Sequence, residues 1–501
     1  MSKKNVYDRL VDWFDVRLGF TKAPLKPIPD FALNPIYWLG LIMALTFGMQ
    51  GATGMFMLLY YVPTPAGAYT STTFIINSVP LGQLVETLHL YTAYAMILIA
   101  FLHLIRNYFG SAHKENRILM WLAGIVLGVT VLGFGVTGYL LPWTVISKSA
   151  TDVAVGFVNF FPTSIANFAK FVLVGSGSDT AEINNFLHIH TVILPAVLLV
   201  FLALKVYMYE VHGPAYVSAF GKPKKGKIYP WFPKIFLYAV MLFSVYIAIL
   251  VAVSALVPLV LPPAFSAETA GQYVVQPDWY LLWVYQILKI QAFEGPEAVY
   301  AIAALGVFVG LLFLLPFYDR SKRRKLGQRP VFATIGAIMV VEFITLTVWG
   351  YLTPGQIIPS LQAVLVLGGS TVATIIVMWI IYRLRRKAPA AASPMPERKA
   401  PTAPAPETPK PIAEGASKST RMKNQMVQAR QSVFSWFTAV FVFFLIVASA
   451  SLASLVNMIP SFLDVAPLGF LAAAVFAGSF YAMCRLLRSY VVAYEKQRGT
   501  K

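Results

Sequence analysis

Ten apolar runs, separated by polar or turn-forming segments, constrain the fold of this chain more than any other feature of its sequence. A run of about 20 apolar residues is long enough to cross a bilayer as a helix. Of the 501 residues, 58% are hydrophobic and only 12% are charged, and a soluble fold could not bury so much apolar surface. The sequence therefore predicts an all-α polytopic membrane protein. Its predicted spans are 37–61, 85–109, 118–141, 186–209, 235–260, 299–317, 331–352, 361–384, 433–458 and 468–487.

The basic residues are distributed unevenly between the two sides that these spans define. Of the 40 Lys and Arg, 36 fall at the termini and loops of one side. The opposite side holds only Lys148, Lys170 and Lys289, and Lys205 lies inside the fourth run. By the positive-inside rule, both termini are predicted to be cytoplasmic in a plasma-membrane protein. The net charge of +19 is thus explained by topology and contact with anionic lipid, so no nucleic-acid partner is expected.

Three segments are predicted to lie outside the main membrane region. Residues 1–36 form a cytoplasmic amphipathic N-terminal segment, with an interfacial helix over 6–20. Residues 388–430 are rich in Pro and Ala, which is typical of an extended linker. Residues 431–501 then form a two-helix C-terminal membrane extension. The first run lacks the flanks of a cleaved signal peptide, so we expect it to remain in the mature chain.

Two histidines in the second run indicate metal centres at two membrane depths. The chain has six histidines and one cysteine, Cys484, which excludes a disulfide framework, a thiolate-held iron–sulfur cluster and a CxxCH haem attachment. His89 and His103 are 14 residues apart. On a helix this is a rise of about 21 Å, with both side chains within about 40° of the same face. A hydrogen-bonded helix contact is the alternative, but polar groups at this depth are usually functional.

Glycines in the first and third runs repeat the same spacing. Gly40 and Gly54 are 14 residues apart, as are Gly124 and Gly138. Glycine in a helix interior costs about 1 kcal/mol relative to alanine, so a repeated pair needs a reason. Close packing between membrane helices is one explanation. The spacing shared with the histidines favours a second one, in which flat macrocycles lie against helix backbones that lack Cβ atoms.

Seven motifs spread over residues 6–385 resemble cytochrome b of the bc1/b6f quinol-oxidising complexes, the Rieske–cytochrome b family. Within this family, the chain resembles divergent archaeal members associated with terminal oxidase assemblies. The features that carry this resemblance are the two extra spans, Lys205 and the form of the PDWY motif. The motifs are WFDVRL, QGATG, HLYTAYAMILIAFLHLIR, TGYLLPW, HTVILP, PDWY and FYDRSKRRKLGQRP.

The resemblance implies a four-helix haem-binding bundle at 37–220 and a C-terminal-like region with a quinol-site loop at 221–387. It implies two haems, either haem b or an A-type haem. His89 and His190 would bind the haem on the outer side, which we call the outer centre. His103 would bind the haem on the cytoplasmic side, the inner centre. The four glycines above would accept the macrocycles.

The fourth ligand of the family is missing from its usual place. It should lie 14 or 15 residues after His190, where the sequence has Leu204 and Lys205. His212 is 22 residues on, about 33 Å along a helix, and is too far. A deprotonated Lys205 amine can bind iron; the alternatives are a lysine that extends to the interface or a different ligand. The resemblance also gives Arg106 the role of binding a haem propionate.

The motif PDWY implies a quinol-oxidation site on the outer side. Asp278 would accept a proton from quinol, and Tyr280, Tyr285 and Tyr139 would line the site. An interfacial helix with aromatic anchors is the alternative for the motif alone. Since this chain cannot hold an iron–sulfur cluster, the Rieske iron–sulfur protein would be a separate partner. One electron would pass to it and the other across the membrane through the two haems, building a proton gradient.

The leading hypothesis is therefore a di-haem subunit of a respiratory quinol-oxidising complex. Further cytochrome or oxidase subunits, membrane lipid and quinol are the expected partners, in a homodimer or a supercomplex. A non-catalytic electron-transfer or anchoring subunit of a terminal oxidase assembly remains the alternative. Ten spans would also suit a transporter, but no inverted repeat is found. Glu210 stands where the family often has a basic residue that contacts quinone. The sequence therefore does not decide whether a quinone-reduction site exists on the cytoplasmic side.

The charge distribution predicts how the chain responds to protease. If both termini are cytoplasmic, protease added to right-side-out vesicles should spare the linker 388–430, because it lies inside. Vesicles opened with detergent provide the control in which the linker must be cut. Mass spectrometry of the digests detects the cleavage, and a cut linker in sealed vesicles would contradict the topology.

Overall fold

The computed structural model describes residues 27–114, 116–175, 177–215 and 228–387, and this part of the chain is almost entirely helical. The predicted interfacial helix, the linker and the last two predicted spans lie outside the described residues. The α-helices are α1 (Leu39–Leu58), α2 (Pro65–Ser78), α3 (Gly82–Phe109), α4 (Ile118–Leu140), α5 (Val145–Gly156), α6 (Thr163–Val174), α7 (Asp179–His188), α8 (Leu194–His212), α9 (Phe236–Leu256), α10 (Ala267–Ala270), α11 (Leu282–Leu288), α12 (Ala298–Tyr318), α13 (Pro330–Leu352) and α14 (Ser360–Lys387).

Shorter elements complete the described chain. The strands β1 (Ile28–Pro29) and β2 (Ile228–Tyr229) form an antiparallel pair. Two π-helical turns cover Ile189–Ile193 and Trp231–Ile235. The 3₁₀ turns are Asp30–Leu33, Pro35–Tyr37, Phe157–Phe160, Trp279–Leu281, Gln291–Phe293, Gly295–Glu297 and Leu326–Gln328.

Eight helical segments of the described residues are long and apolar enough to cross a membrane, which confirms the predicted polytopic all-α class. They coincide with the first eight predicted spans. The fourth begins earlier than predicted, at Asp179, because the hydroxyl of Ser178 accepts a hydrogen bond from the amide of Ala181 and caps a polar first turn. Bilayer interiors offer no water to backbone groups, so a continuous helix is the expected way for each run to cross.

The first four spans pack as two helix pairs. Helix α1 lies along α3, and α4 lies along α8. The pairs meet where α3 contacts α4, and α9 packs on the other side of α3. This arrangement brings the glycine-bearing helices α1 and α4 against the helices that carry the candidate ligands.

A buried ion cluster joins two loops on the side that carries most of the Lys and Arg, which we call the basic side. The fully buried carboxylate of Asp319, after α12, accepts hydrogen bonds from His113 Nε2 at 3.0 Å and Lys114 Nζ at 2.8 Å, and a third from Arg329. Burial lowers the pKa of His113 to about 4, so its ring is neutral at pH 7 and donates through Nε2–H. Such a pairing satisfies an otherwise costly buried charge. It fixes the FYDRSKRRKLGQRP segment to the end of α3.

On the opposite side, two of the sequence motifs are held together by backbone pairing. Thr144, directly after TGYLLPW, forms a β-bridge with Ala264. The amide of Val145 donates to the carbonyl of Pro263 at 2.9 Å, and the amide of Phe265 donates to the carbonyl of Trp143 at 3.1 Å. The chain that leads into PDWY is thereby anchored to the end of α4.

Candidate functional site

Each of the four glycines singled out in the sequence faces one of the four candidate ligands. A methyl group at any of them would touch or overlap the ligand side chain, because non-bonded carbon atoms prefer separations of about 3.5–4.0 Å. Glycine is therefore required for the close approach at Gly138, where the atom in the way belongs to a ring. At Gly124 the amine at the end of the flexible Lys205 side chain could move aside, and at the other two positions glycine suits the contact. A Cβ atom would lie 3.4 Å from His89 Cε1 at Gly54, 2.7 Å from His190 Cε1 at Gly138, 3.5 Å from His103 Cε1 at Gly40 and 2.7 Å from Lys205 Nζ at Gly124.

The two rings of the outer centre face each other across the bundle. The ring centroids of His89 and His190 are 6.4 Å apart, with an angle of 59° between the ring planes. Two imidazoles that bind one metal atom through bonds of about 2 Å would have centroids roughly 6 Å apart. The spacing therefore fits one metal atom between the rings, and the glycines beside them leave room for the rings.

A threonine hydroxyl contacts the Nδ1 atom of each ring. Thr53 Oγ1 lies 2.8 Å from His89 Nδ1, and Thr137 Oγ1 lies 3.0 Å from His190 Nδ1. The side chain of Gln50 donates to the backbone carbonyl of His89 at 2.8 Å. The sequence analysis missed both threonines. The available signal was the Thr-Gly dipeptide, which occurs in both QGATG and TGYLLPW.

His190 lies in a π-helical turn, which the sequence analysis also missed. The turn covers Ile189–Ile193 and is followed by Pro195 at the start of α8. A proline cannot donate to the carbonyl four residues earlier and clashes with it, so the helix there must change its hydrogen-bond register. Single π turns of this kind often occur at functional sites. Here the turn sets the direction of the His190 ring.

The inner centre has different surroundings. His103 Nδ1 is buried, and within the described residues it has no hydrogen-bond partner. The Lys205 amine points at Gly124, inside the bundle, and is within electrostatic range of His103. In the described part of the chain no group accepts a hydrogen bond from this amine. The side chain thus turns inward rather than toward the interface.

Arg106 lies one turn beyond His103 on α3, and only some of its guanidinium N–H groups have hydrogen-bond partners among the described residues. Its guanidinium lies 4.3 Å from the centroid of the Tyr37 ring and donates to Asn107 Oδ1 at 2.7 Å and to the carbonyl of Ala215 at 3.5 Å. Its Nε atom is buried, and no described residue accepts a hydrogen bond from it. This donor remains for an anionic group at the inner centre, as the predicted propionate contact requires.

Asp278 lies among three tyrosines in the loop between the fifth and sixth spans, opposite the basic side. Its carboxyl interacts with the hydroxyl of Tyr94 and is within electrostatic range of Tyr139 and Tyr280. Burial raises the pKa of Asp278 to about 6, while the Tyr94 hydroxyl acts in the opposite direction. A carboxyl with such a pKa exchanges a proton close to neutral pH, as a catalytic base must. Tyr94, which belongs to the HLYTAYAM stretch of α3, was not among the predicted residues.

Tyr285, the third tyrosine predicted for the quinol site, contacts residues other than Asp278. Its hydroxyl accepts a hydrogen bond from the amide of Gly355 at 2.8 Å, and Lys289 Nζ lies 4.6 Å from the centroid of its ring. The structure thus brings Tyr139 and Tyr280 to Asp278 and puts Tyr285 against the loop after α13. A role for Tyr285 in the quinol site stays a prediction.

Comparison with known proteins identifies two matched regions. Residues 26–213 match the family described as cytochrome b/b6/petB, and residues 266–378 match cytochrome b(C-terminal)/b6/petD. The chain is 31% identical over 410 residues to cytochrome b of Sulfolobus acidocaldarius, an alignment that covers 76% of this chain and 71% of the relative. It is 29% identical to the cytochrome bc complex cytochrome b subunit of Chlorobaculum thiosulfatiphilum, with 69% and 82% coverage.

A solved structure shares the fold. A chain of a hyperthermophilic respiratory Complex III aligns with a TM-score of 0.60 and 24% identity, covering 74% of this chain and all of the other. The fold, the two matched regions and the Sulfolobus relative agree. The chain therefore belongs to the cytochrome b family, the haem-containing electron-transport proteins of the respiratory membrane.

Proposed function

We propose that this chain is the di-haem cytochrome b subunit of a respiratory quinol-oxidising complex. It would oxidise membrane quinol on the outer side together with a Rieske protein, carry electrons across the membrane and contribute to a proton gradient, with both termini cytoplasmic. The observation that carries this proposal is the arrangement of four glycines, each against one candidate ligand. The two ligands on α3 are 14 residues apart, so the pairs are separated by about 21 Å along the helix.

The residues that would hold the haems follow from the geometry above. His89 and His190 form the outer pair, and His103 and Lys205 form the inner pair. Each haem, when bound, supplies a one-electron carrier at its depth. Two nitrogen ligands leave no open coordination position, which suits electron transfer and disfavours oxygen binding. Arg106 would bind a propionate at the inner centre.

Gly138→Ala tests whether the outer centre holds haem. The new methyl group would overlap the His190 ring, since its Cβ would lie 2.7 Å from Cε1. We expect the variant to lose one of the two haems. Gly128→Ala in the same helix is the matched control, because a Cβ at Gly128 has nothing within 4 Å. Pyridine haemochrome spectra give haem number and type together, and full haem content in Gly138→Ala would contradict the proposal.

Lys205→Ala tests the inner ligand pair. Without the amine, His103 has no ligand opposite it, so we expect one low-spin haem to become high-spin or to be released. Lys205→His supplies an imidazole in the same region of α8 and should restore a low-spin signal with altered g-values. Electron paramagnetic resonance measures both. If both haems remain low-spin and unshifted in Lys205→Ala, then Lys205 is not a ligand.

At the outer side, Asp278 is proposed to take the proton that quinol releases. The carboxylate is the active form, and it exists above the pKa of about 6. Below that pH the group is already protonated and cannot accept a proton. The hydroxyls of Tyr94, Tyr139 and Tyr280 surround the carboxyl and would orient the quinol hydroxyl. The single cysteine of the chain cannot hold an iron–sulfur cluster, which supports a separate Rieske partner.

Asp278→Asn should slow quinol oxidation by about 100-fold, the usual effect of losing a positioned base. The wild-type rate should rise as pH increases through about 6, the pKa of Asp278, and the variant should lose this step. Glu268→Gln, an exposed carboxylate on the same loop, is the control and should behave as wild type. Haem content should be unchanged in both. Wild-type turnover by Asp278→Asn would remove the residue from the mechanism. Absence of quinol turnover in the unaltered complex would favour the non-catalytic, anchoring alternative.

A further inference from the structure

We propose that Thr53 and Thr137 are positioning residues that fix the tautomer of His89 and His190 and lower the redox potential of the outer centre. This inference rests on the proposed function, because it requires a haem between the two histidines. It concerns groups that do not touch the iron. It is argued from the direction of two hydrogen bonds, one to each ring.

The hydroxyl of Thr53 has a single hydrogen, so it cannot donate fully to both a backbone carbonyl and the His89 ring. Its Oγ1 lies 2.8 Å from the carbonyl of Met49 and 3.2 Å from that of Gln50, both in its own helix. A carbonyl oxygen only accepts, so the hydroxyl donates to the helix. The contact of 2.8 Å with His89 Nδ1 must then be one in which the ring donates its Nδ1–H to the hydroxyl oxygen.

Thr137 repeats this arrangement in another helix. Its Oγ1 lies 2.8 Å from the carbonyl of Gly133 and 3.4 Å from that of Phe134, and 3.0 Å from His190 Nδ1. The same reasoning gives a ring that donates from Nδ1–H. Both imidazoles of the outer centre therefore carry their proton on Nδ1.

This tautomer leaves the lone pair on Nε2, the nitrogen that a metal binds. A hydrogen bond donated by Nδ1–H also makes the ring a stronger electron donor to the metal. A stronger donor stabilises ferric iron over ferrous iron and so lowers the potential of the couple. Two such bonds at one centre act in the same direction.

At the inner centre the histidine has no such hydrogen bond, although its glycines and histidine follow those of the outer centre at the same 14-residue spacing. His103 Nδ1 is buried without a hydrogen-bond partner in the described part of the chain. The residues one position before the inner glycines are apolar, whereas those before the outer glycines are the two threonines. These positions are Leu39 and Ala123 at the inner centre, and Thr53 and Thr137 at the outer centre.

Thr53→Val and Thr137→Val test the proposal, because valine keeps the shape of threonine and removes the hydroxyl. We expect each variant to raise the potential of the outer haem, changing its oxidised-to-reduced ratio at a fixed poise by about tenfold, or 59 mV for a one-electron couple. The inner haem should not shift. Redox titration followed optically and by electron paramagnetic resonance measures both haems separately.

Two controls separate positioning from packing. Thr130 lies in the same helix as Thr137 and donates to the carbonyl of Val126, four residues earlier, at 2.9 Å; among the described residues it makes no hydrogen bond to a histidine ring. Thr130→Val should therefore leave both potentials unchanged. Thr53→Ser and Thr137→Ser keep the hydroxyl and should restore the wild-type potential. A valine variant could release the outer haem instead of shifting its potential. In that case, a serine variant that keeps the haem supports the proposal, and a serine variant that also loses the haem overturns it.

His190→Leu distinguishes failure of this inference from failure of the proposed function. If His190→Leu retains both haems with unchanged spectra, the outer centre itself is wrong. If His190→Leu loses one haem but neither valine variant shifts the potential, the outer centre stands and the threonines do not tune it.

Discussion

The close approach of ligand side chains to glycine backbones is the constraint on which the bundle depends. At Gly138 a methyl group would overlap the ring of the candidate ligand His190, at 2.7 Å, and at Gly124 it would overlap the amine at the flexible end of Lys205, also at 2.7 Å. Each glycine weakens its helix by about 1 kcal/mol relative to alanine. The pairing of α1 with α3 and of α4 with α8 supplies the packing that offsets this cost. The candidate ligand side chains are thus positioned by contacts between helices, and no single helix positions them alone.

The two ends of the bundle are chemically different although the backbone is arranged alike. At the outer centre, both imidazoles are hydrogen-bonded through Nδ1 to threonine hydroxyls. At the inner centre, His103 lacks such a bond and the opposite position carries an amine. One repeat of glycines and ligands therefore supports two sites whose electronic surroundings differ.

Contacts outside the membrane keep the spans in place. On the basic side, the buried Asp319 carboxylate joins the loop after α12 to the loop after α3. On the opposite side, the bridge between Thr144 and Ala264 connects the end of α4 to the segment before PDWY. Removing one partner of a buried ion cluster is costly because the remaining charges are left unpaired. The ion cluster gives the charged residues Asp319 and Arg329 of FYDRSKRRKLGQRP a structural role.

The sequence by itself determined the membrane class, the first eight spans and the 14-residue spacing, because hydropathy and helical periodicity depend only on local order. It also singled out the glycines and the ligand candidates. Only the tertiary structure decided that Lys205 turns inward, that Thr53 meets His89 and Thr137 meets His190, and that Tyr94 joins Asp278 while Tyr285 does not. These contacts join residues far apart in the chain. They depend on how each helix is rotated and how deeply it sits beside its neighbour, and hydropathy fixes neither.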